Sequence, residues 1–281
     1  MKIVHTVAEV RACVSEWRKQ GFSVGLVPTM GFLHEGHKSL IVKAASENEK
    51  VVVSVFVNPI QFGPNEDFAS YPRDLEADAR LCDSAGAALI FNPQPEEMYN
   101  PGFCSFVDMQ GPTAELCGKS RPIHFRGVCT VVSKLFNIVQ PDKAYFGQKD
   151  AQQLSVIKRM VADLNFPVQI IPCPIVREAD GLAKSSRNTY LNADERKAAV
   201  ILSQAVRLGE KMVADGERDA QIVLEAMRAK ISQEPLARID YVEAVDFNTV
   251  QKITTLQGEI LVAMAVYIGK TRLIDNFIRN I

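Results

Sequence analysis

The chain has little of what would take it to a membrane, a nucleic acid or an oxidising compartment. Its 281 residues carry 32 basic and 33 acidic side chains, for a formal net charge of −1, with no long basic run. That removes the electrostatic footprint of a nucleic-acid binder. The apolar stretch Ile260 to Ile268 is far too short to span a bilayer. Met1-Lys2-Ile3-Val4-His5 opens no signal-peptide apolar region. The six cysteines (Cys13, Cys82, Cys104, Cys117, Cys129 and Cys173) contain no Cys-x-x-Cys. Without a secretory signal, reduced thiols and a cytoplasmic address are expected. Internal repeats and low-complexity tracts are absent. No Gly-x-Gly-x-x-Gly opens the first βα turn, which argues against a dinucleotide-dependent dehydrogenase.

What is present is alternation. Thr6-Val7-Ala8-Glu9 is a capping box, and Gly21 follows the last turn of that first helix. A strand over 23–27 leads to a helix over 37–46. A strand over 51–57 leads, after a long loop, to a helix over 73–85 and a strand over 88–91. Further on, a helix over 127–139, a strand over 143–146, a helix over 150–164 and a strand over 168–171 are expected. Continuous runs such as Val51-Val52-Val53-Ser54-Val55-Phe56-Val57 suit parallel strands covered on both faces. The expected class is α/β, a Rossmann-like doubly wound parallel sheet over residues 1–176. After that the character changes. Asn192-Ala193-Asp194-Glu195 is a second capping box, opening a long helix to about 214, and another helix covers 220–232. Strands over 239–245, 259–268 and 271–275 follow, the last two joined by a turn at Gly269-Lys270. Residues 177–281 are expected as a smaller α+β lid domain.

The densest chemistry lies in Pro28-Thr29-Met30-Gly31-Phe32-Leu33-His34-Glu35-Gly36-His37, where a strand hands over to a helix. A helix start offers free N–H groups and a positive dipole end, which suit phosphate. His34 and His37 stand at i and i+3 and can share one helix face. Gly36 leaves a ligand room to approach. A P-loop is excluded because His37 intrudes between the glycine and Lys38, and His-Glu-x-His is not the zinc-protease His-Glu-x-x-His. His-x-Gly-His is the nucleotidylyl-transferase signature, used to hold an ATP α-phosphate under attack. Either histidine alone would more simply read as a polar helix cap.

Three more clusters stand in order with that one: Phe56-Val57-Asn58-Pro59-Ile60-Gln61-Phe62, Phe146-Gly147-Gln148-Lys149-Asp150 with Gln153, and Val176 through Asn188. Together with Tyr71-Pro72-Arg73, His124-Phe125-Arg126-Gly127-Val128 and Arg272-Leu273-Ile274-Asp275-Asn276, the chain closely resembles the pantoate–β-alanine ligase (pantothenate synthetase) family nearly end to end. The resemblance implies a two-step reaction. ATP and pantoate give pantoyl adenylate and pyrophosphate; β-alanine then displaces AMP. It also implies Mg²⁺ with the ATP and a homodimer; the charge balance and the short apolar run lead to the expectation of no nucleic acid or membrane as partner.

Carried over by position, Met30, Gly31, Phe32, Leu33, His34, Glu35, Gly36 and His37 are expected to line the ATP site, with Gly147, Gln148, Lys149, Asp150, Val176, Lys184, Ser185, Ser186 and Arg187. His34, His37, Lys149 and Arg187 are the expected catalytic set, around phosphate charge that builds in the transition state. Asp150 suits the ribose hydroxyls, and the Val176 backbone suits adenine. Gln61 and Gln153 are expected to hold pantoate, because an amide both donates and accepts, and Asn58 is grouped with them, either at the substrate or as a support of the same loop. Leu or Met is common in the family where Lys184 stands, and Glu where Gln148 stands. The magnesium ligands are open; Asp78 is a candidate whose alternative is an ordinary solvated helix face. Two rival functions remain: a nucleotidylyltransferase with a stable nucleotide product, and a silent adenine-nucleotide-binding module. The second would have lost a key His or Lys, yet His34, His37, Lys149 and Arg187 are all present.

Overall fold

A computed structural model describes residues 1–64 and 66–281. The chain divides into two compact units: residues 1–109, 121–148 and 156–174, and residues 110–120, 149–155 and 175–281. Residues 110–120 and 149–155 thus group with the later part of the chain, although they precede the boundary expected at 176.

In the first unit the strands are β1 (Lys2–Val4), β2 (Val24–Thr29), β3 (Lys50–Val55), β4 (Leu89–Phe91), β5 (Lys143–Gly147) and β6 (Gln169–Cys173). They form a parallel sheet in the order β1-β4-β3-β2-β5-β6. This is the doubly wound class expected from the Val/Ile runs, and Leu26, Val27, Val52 and Val53 are fully buried in it. The α-helices as far as residue 163 are, in chain order, α1 (Val7–Lys19), α2 (Glu35–Glu47), α3 (Leu75–Ser84), the single turns α4 (Pro95–Met98) and α5 (Cys117–Ser120), the apolar α6 (His124–Val139), and α7 (Ala151–Asp163). Of these, α5 and the first turn of α7 group with the second unit. Thr6 and Glu9 form the capping box read from the sequence.

The winding direction reverses at β2, which has β3 on one side and β5 on the other. Pairing of β2 with β5 involves only Gly25 and Leu26, whereas pairing with β3 runs on to Thr29. Pro28, which has no N–H to give a ladder, therefore costs nothing on the β5 side. The strands part there, and a crevice at this edge is where doubly wound sheets take ligands.

The second unit holds α8 (Ala193–Ala198), α9 (Val200–Ala214), α10 (Ala220–Ile231) and an antiparallel sheet of β7 (Ala237–Asp246), β8 (Glu259–Ile268) and β9 (Thr271–Asn280). The single helix expected from Asn192 to about 214 is divided at Ala199. That residue stays helical (φ −59°, ψ −22°) while the Leu202 N–H donates to its carbonyl at 3.2 Å, an i to i+3 bond that tightens the turn. The last strand outruns its expected end at 275, because β8 pairs with it as far as Asn280. Met227, Val262, Met264 and Phe277 are among the side chains that fill the core of this unit.

The six cysteines are free, and burial pushes the thiols of Cys82 and Cys129 up to about 12. Among the described residues no helix is long and apolar enough to cross a membrane.

Candidate active site

In the first unit, Met30–His37 and Asn58–Gln61 follow the C-terminal ends of the adjacent strands β2 and β3, and Gly147 closes β5 with Gln148 after it. After Thr29 the backbone turns through Gly31 (φ +81°) and Phe32 (φ +50°). Two successive left-handed residues make a sharp bend, and only the first is a glycine. A Cβ on Gly31 would also lie 3.0 Å from both Asp78 Oδ2 and Val55 Cγ1.

Helix α2 begins at Glu35, two residues earlier than expected, because His34 is its N-cap (φ −135°, ψ 179°). The His34 Nδ1 accepts the Gly36 N–H at 3.1 Å, and the His37 Nδ1 accepts the His34 N–H at 3.2 Å. The histidines thus act as a reciprocal capping box, an arrangement usually made by Ser or Thr with Glu. The rings are brought together by this cap and not by lying on one helix face; their centroids are 4.1 Å apart. A nitrogen that accepts from a backbone N–H carries no proton of its own. In both rings the proton of the neutral form is therefore on Nε2, which puts two imidazole N–H donors at the start of a helix.

Gln61 is held by a chain of hydrogen bonds. The Tyr99 hydroxyl donates to Asn58 Oδ1 at 2.7 Å. Asn58 Nδ2 donates to Gln61 Oε1 at 3.0 Å and to the Gly127 carbonyl at 3.1 Å. Gln61 Nε2 lies 2.9 Å from Met30 Sδ, and His124 Nδ1 lies 3.1 Å from the Gln61 carbonyl. Asn58, expected either at the substrate or as a support, is 1 % exposed and has both N–H groups and its oxygen engaged inside the fold. It is a support for Gln61. Tyr99 and Gly127 belong to the same support; the sequence marked Gly127 only as part of His124–Val128 and held no sign of Tyr99.

Asp78 is neither a solvated helix residue nor suited to magnesium. It is 2 % exposed, and its two oxygens accept the N–H groups of Phe32 (2.9 Å) and Leu33 (2.6 Å). The donors that suit its carboxylate would repel a cation. Among the described residues, no group of three or more His, Cys, Asp or Glu is arranged to hold a metal ion.

In the second unit, Lys149 Nζ lies 3.6 Å from Asp150 Oδ1, and the Lys149 carbonyl accepts from Asn276 Nδ2 at 2.9 Å. Gln152 is buried, with its amide bonded to the Cys117 N–H and to the carbonyls of Pro112 and Glu115; its neighbour Gln153 is half-buried. Residues 176–184 form a tight hairpin. The Glu178 N–H donates to the Leu182 carbonyl at 2.8 Å, and the Lys184 N–H to the Val176 carbonyl at 2.9 Å. Lys184 Nζ pairs with Glu178 Oε2 at 3.0 Å across this hairpin. Ser185 then caps a 3₁₀ turn (Ser186–Tyr190) by accepting the Arg187 N–H.

Arg177 pins the hairpin to β9. Its guanidinium meets the two Asp275 oxygens at 2.7 and 3.0 Å, with Asp275 1 % exposed. Arg177→Met should cost about 3–5 kcal/mol, because it strands a buried carboxylate without its cation. Chemical denaturation at neutral pH measures this; an unchanged midpoint would show that water replaces the guanidinium.

Comparison with known proteins gives one consistent result. The family model for pantoate-beta-alanine ligase matches residues 2–278. A pantothenate synthetase of Ruminiclostridium cellulolyticum is 62% identical over 277 residues, 99% of this chain and 98% of that protein. One from Clostridium acetobutylicum is 58% identical over 281 residues, covering all of both chains. Among solved structures, pantothenate synthetase from Thermus thermophilus superposes with a TM-score of 0.94 at 46% identity, over 99% of each chain. Pantoate-beta-alanine ligase from Francisella tularensis, complexed with beta-gamma ATP and beta-alanine, gives 0.80 at 36% identity, over 99% of this chain and 97% of that one.

Proposed function

The chain belongs to the pantoate-beta-alanine ligase family, and from that premise we propose how its residues divide the work. It is a ligase that condenses pantoate with β-alanine at the expense of ATP. A carboxylate is a poor acyl donor, since its leaving group would be oxide. The pantoate carboxylate therefore attacks the α-phosphorus, pyrophosphate departs, and the β-alanine amine then displaces AMP from the acyl carbon.

The observation that carries the assignment of roles is the histidine cap. Both Nδ1 atoms are tied to backbone N–H groups, so each neutral ring carries its proton on Nε2. These donors and the start of α2 serve the α-phosphoryl oxygens, and His37 acts as donor without any need to transfer its proton. Met30 to His37, with Gly147 and Gln148, line the nucleotide; Asp150 takes the ribose hydroxyls, and the Val176 backbone takes adenine. Lys149, Lys184 and Arg187 bring positive charge to the phosphates, with Ser185 and Ser186 donating beside them. Gln61 and Gln153 hold pantoate. Mg²⁺, a cation that prefers phosphate and water to a protein cage, would when bound with ATP supply shielding of the negative charge on the departing pyrophosphate. The working form is a cytoplasmic homodimer; light scattering of the purified protein tests the dimer.

AMP release, measured with pantoate and β-alanine each omitted in turn, tests the reaction. AMP that forms only when both are present supports it; folded protein releasing none with both present refutes it.

Lys184→Met should weaken nucleotide binding modestly and leave ligation intact. The lysine already has Glu178 as its counter-ion at 3.0 Å, so part of its charge is neutralised before ATP arrives. Titration calorimetry and steady-state turnover measure the two effects. Abolished ligation in the folded variant would give Lys184 an indispensable part.

A further inference from the structure

We infer that Asp78 is a positioning residue for the reaction: its carboxylate, clamped by the N–H groups of Phe32 and Leu33, sets where the two histidines stand. The inference rests on the roles proposed above for His34 and His37.

The bend after β2 has an intrinsic cost. Phe32 holds φ +50°, a region that disfavours residues with a Cβ, and it follows Gly31 at φ +81°. Such a pair persists only where its surroundings over-determine it. The backbone that leaves the bend is Leu33 and then His34, whose own N–H and ring make the cap. A shift at Phe32-Leu33 is therefore passed to both imidazoles through His34.

Successive N–H groups converging on one point form a small anion-binding concavity. In a site built for a triphosphate, that concavity beside the histidines is a competing seat for a phosphate oxygen. Asp78 fills it at 2.9 and 2.6 Å and excludes anions from it. The side chain comes from α3, whose start is fixed independently: Asp74 caps it by accepting the Ala77 N–H at 2.9 Å. Burial pushes the Asp78 carboxyl up from its ordinary value, and the two backbone N–H groups pull it back. The Asp78 carboxyl is thus held by two backbone donors at a place where burial disfavours its charge.

Asp78→Asn and Asp78→Ala test this in the full-length protein. An amide presents one oxygen and one NH₂, so it can accept only one of the two N–H groups, and the other meets a donor. The alanine leaves an empty cradle the size of a small carboxylate. Turnover should fall about a hundredfold in each variant, as for a reacting group misplaced by about an ångström. ATP affinity by calorimetry should change little, and neither variant should lose melting temperature in proportion. Formate should restore part of the turnover of Asp78→Ala by occupying the cradle, and should do nothing for Asp78→Asn, where the cradle is filled.

Turnover of Asp78→Asn within about threefold of the parent would overturn the inference. A loss of turnover matched by a loss of stability in both variants, with no effect of formate on Asp78→Ala, would equally overturn it by making Asp78 a packing residue. His37→Ala serves as the reference. Full activity there refutes the histidine assignment itself, whereas a dead His37→Ala beside a normal Asp78→Asn refutes only the part given to Asp78.

Discussion

His37→Ala should lose about a hundredfold or more in turnover while ATP affinity changes only slightly, the pattern for removal of one donor to a developing oxyanion. Charge on the α-phosphoryl oxygens grows as pantoate attacks and pyrophosphate leaves, so a donor placed there is worth more in the transition state than in the bound ground state. The ring has two separable tasks. Its Nδ1 accepts the His34 N–H at 3.2 Å, and its Nε2–H is the donor proposed for the phosphate. Asparagine can place an oxygen where Nδ1 stood, and glutamine can place an NH₂ where Nε2 stood. His37→Asn should keep the cap, worth about 1 kcal/mol, and lose the rate. His37→Gln should recover part of the rate and lose the cap. Melting curves and saturating turnover on the three variants decide the matter. Collapse of ATP affinity with unchanged turnover at saturation would make His37 a ground-state binder.

The backbone around Met30–His37 could be read without coordinates, because its signals are local. The glycines and histidines of Met30–His37 follow directly on an apolar run, so the strand, the bend and the helix are all announced within about a dozen residues. The start of α2 was harder: histidine is not among the usual N-cap residues, and nothing in the sequence says that its Nδ1 replaces a Ser or Asp oxygen. What could not be read was long-range. Asp78 lies 46 residues from Phe32 and 45 from Leu33, and by itself it looks like any acidic residue in the first turn of a helix. Tyr99 reaches Asn58 across 41 residues, and Gly127 reaches it across 69. The three-residue β1 is too short to show a period, and it is a strand only because β4 pairs with it. Asn58 shows the limit from the other side. Its neighbourhood to Gln61 was legible, but whether its amide faces substrate or supports Gln61 depends on Tyr99 and Gly127.

Gly127→Ala should slow adenylate formation about a hundredfold without touching an expected ATP contact. Gly127 lies in α6, where an added Cβ would sit 2.5 Å from Gln61 Cα and 2.6 Å from both its Cβ and its backbone N. Those atoms are backbone or next to it, so no flexible side-chain end can swing aside; either α6 or the Asn58–Gln61 turn must move. The Gly127 carbonyl also accepts from Asn58 Nδ2, so the movement loosens the bond that orients the Gln61 amide. Overpacking costs about 1–3 kcal/mol, and alanine's better helix propensity returns up to about 1 kcal/mol, so the variant should fold. Pantoate is the substrate that Gln61 is proposed to hold, and it is needed before any amine. The diagnostic is therefore pyrophosphate exchange into ATP with pantoate present and β-alanine omitted. Exchange should fall about a hundredfold in Gly127→Ala, and comparably in Gln61→Ala, which removes the amide without any overpacking. ATP binding should survive in both. Exchange at the parent rate in a folded Gly127→Ala would show that the turn absorbs the methyl without displacing the amide. Exchange in the parent enzyme that strictly required β-alanine would instead remove the discrete adenylate, because no intermediate would then form ahead of the amine.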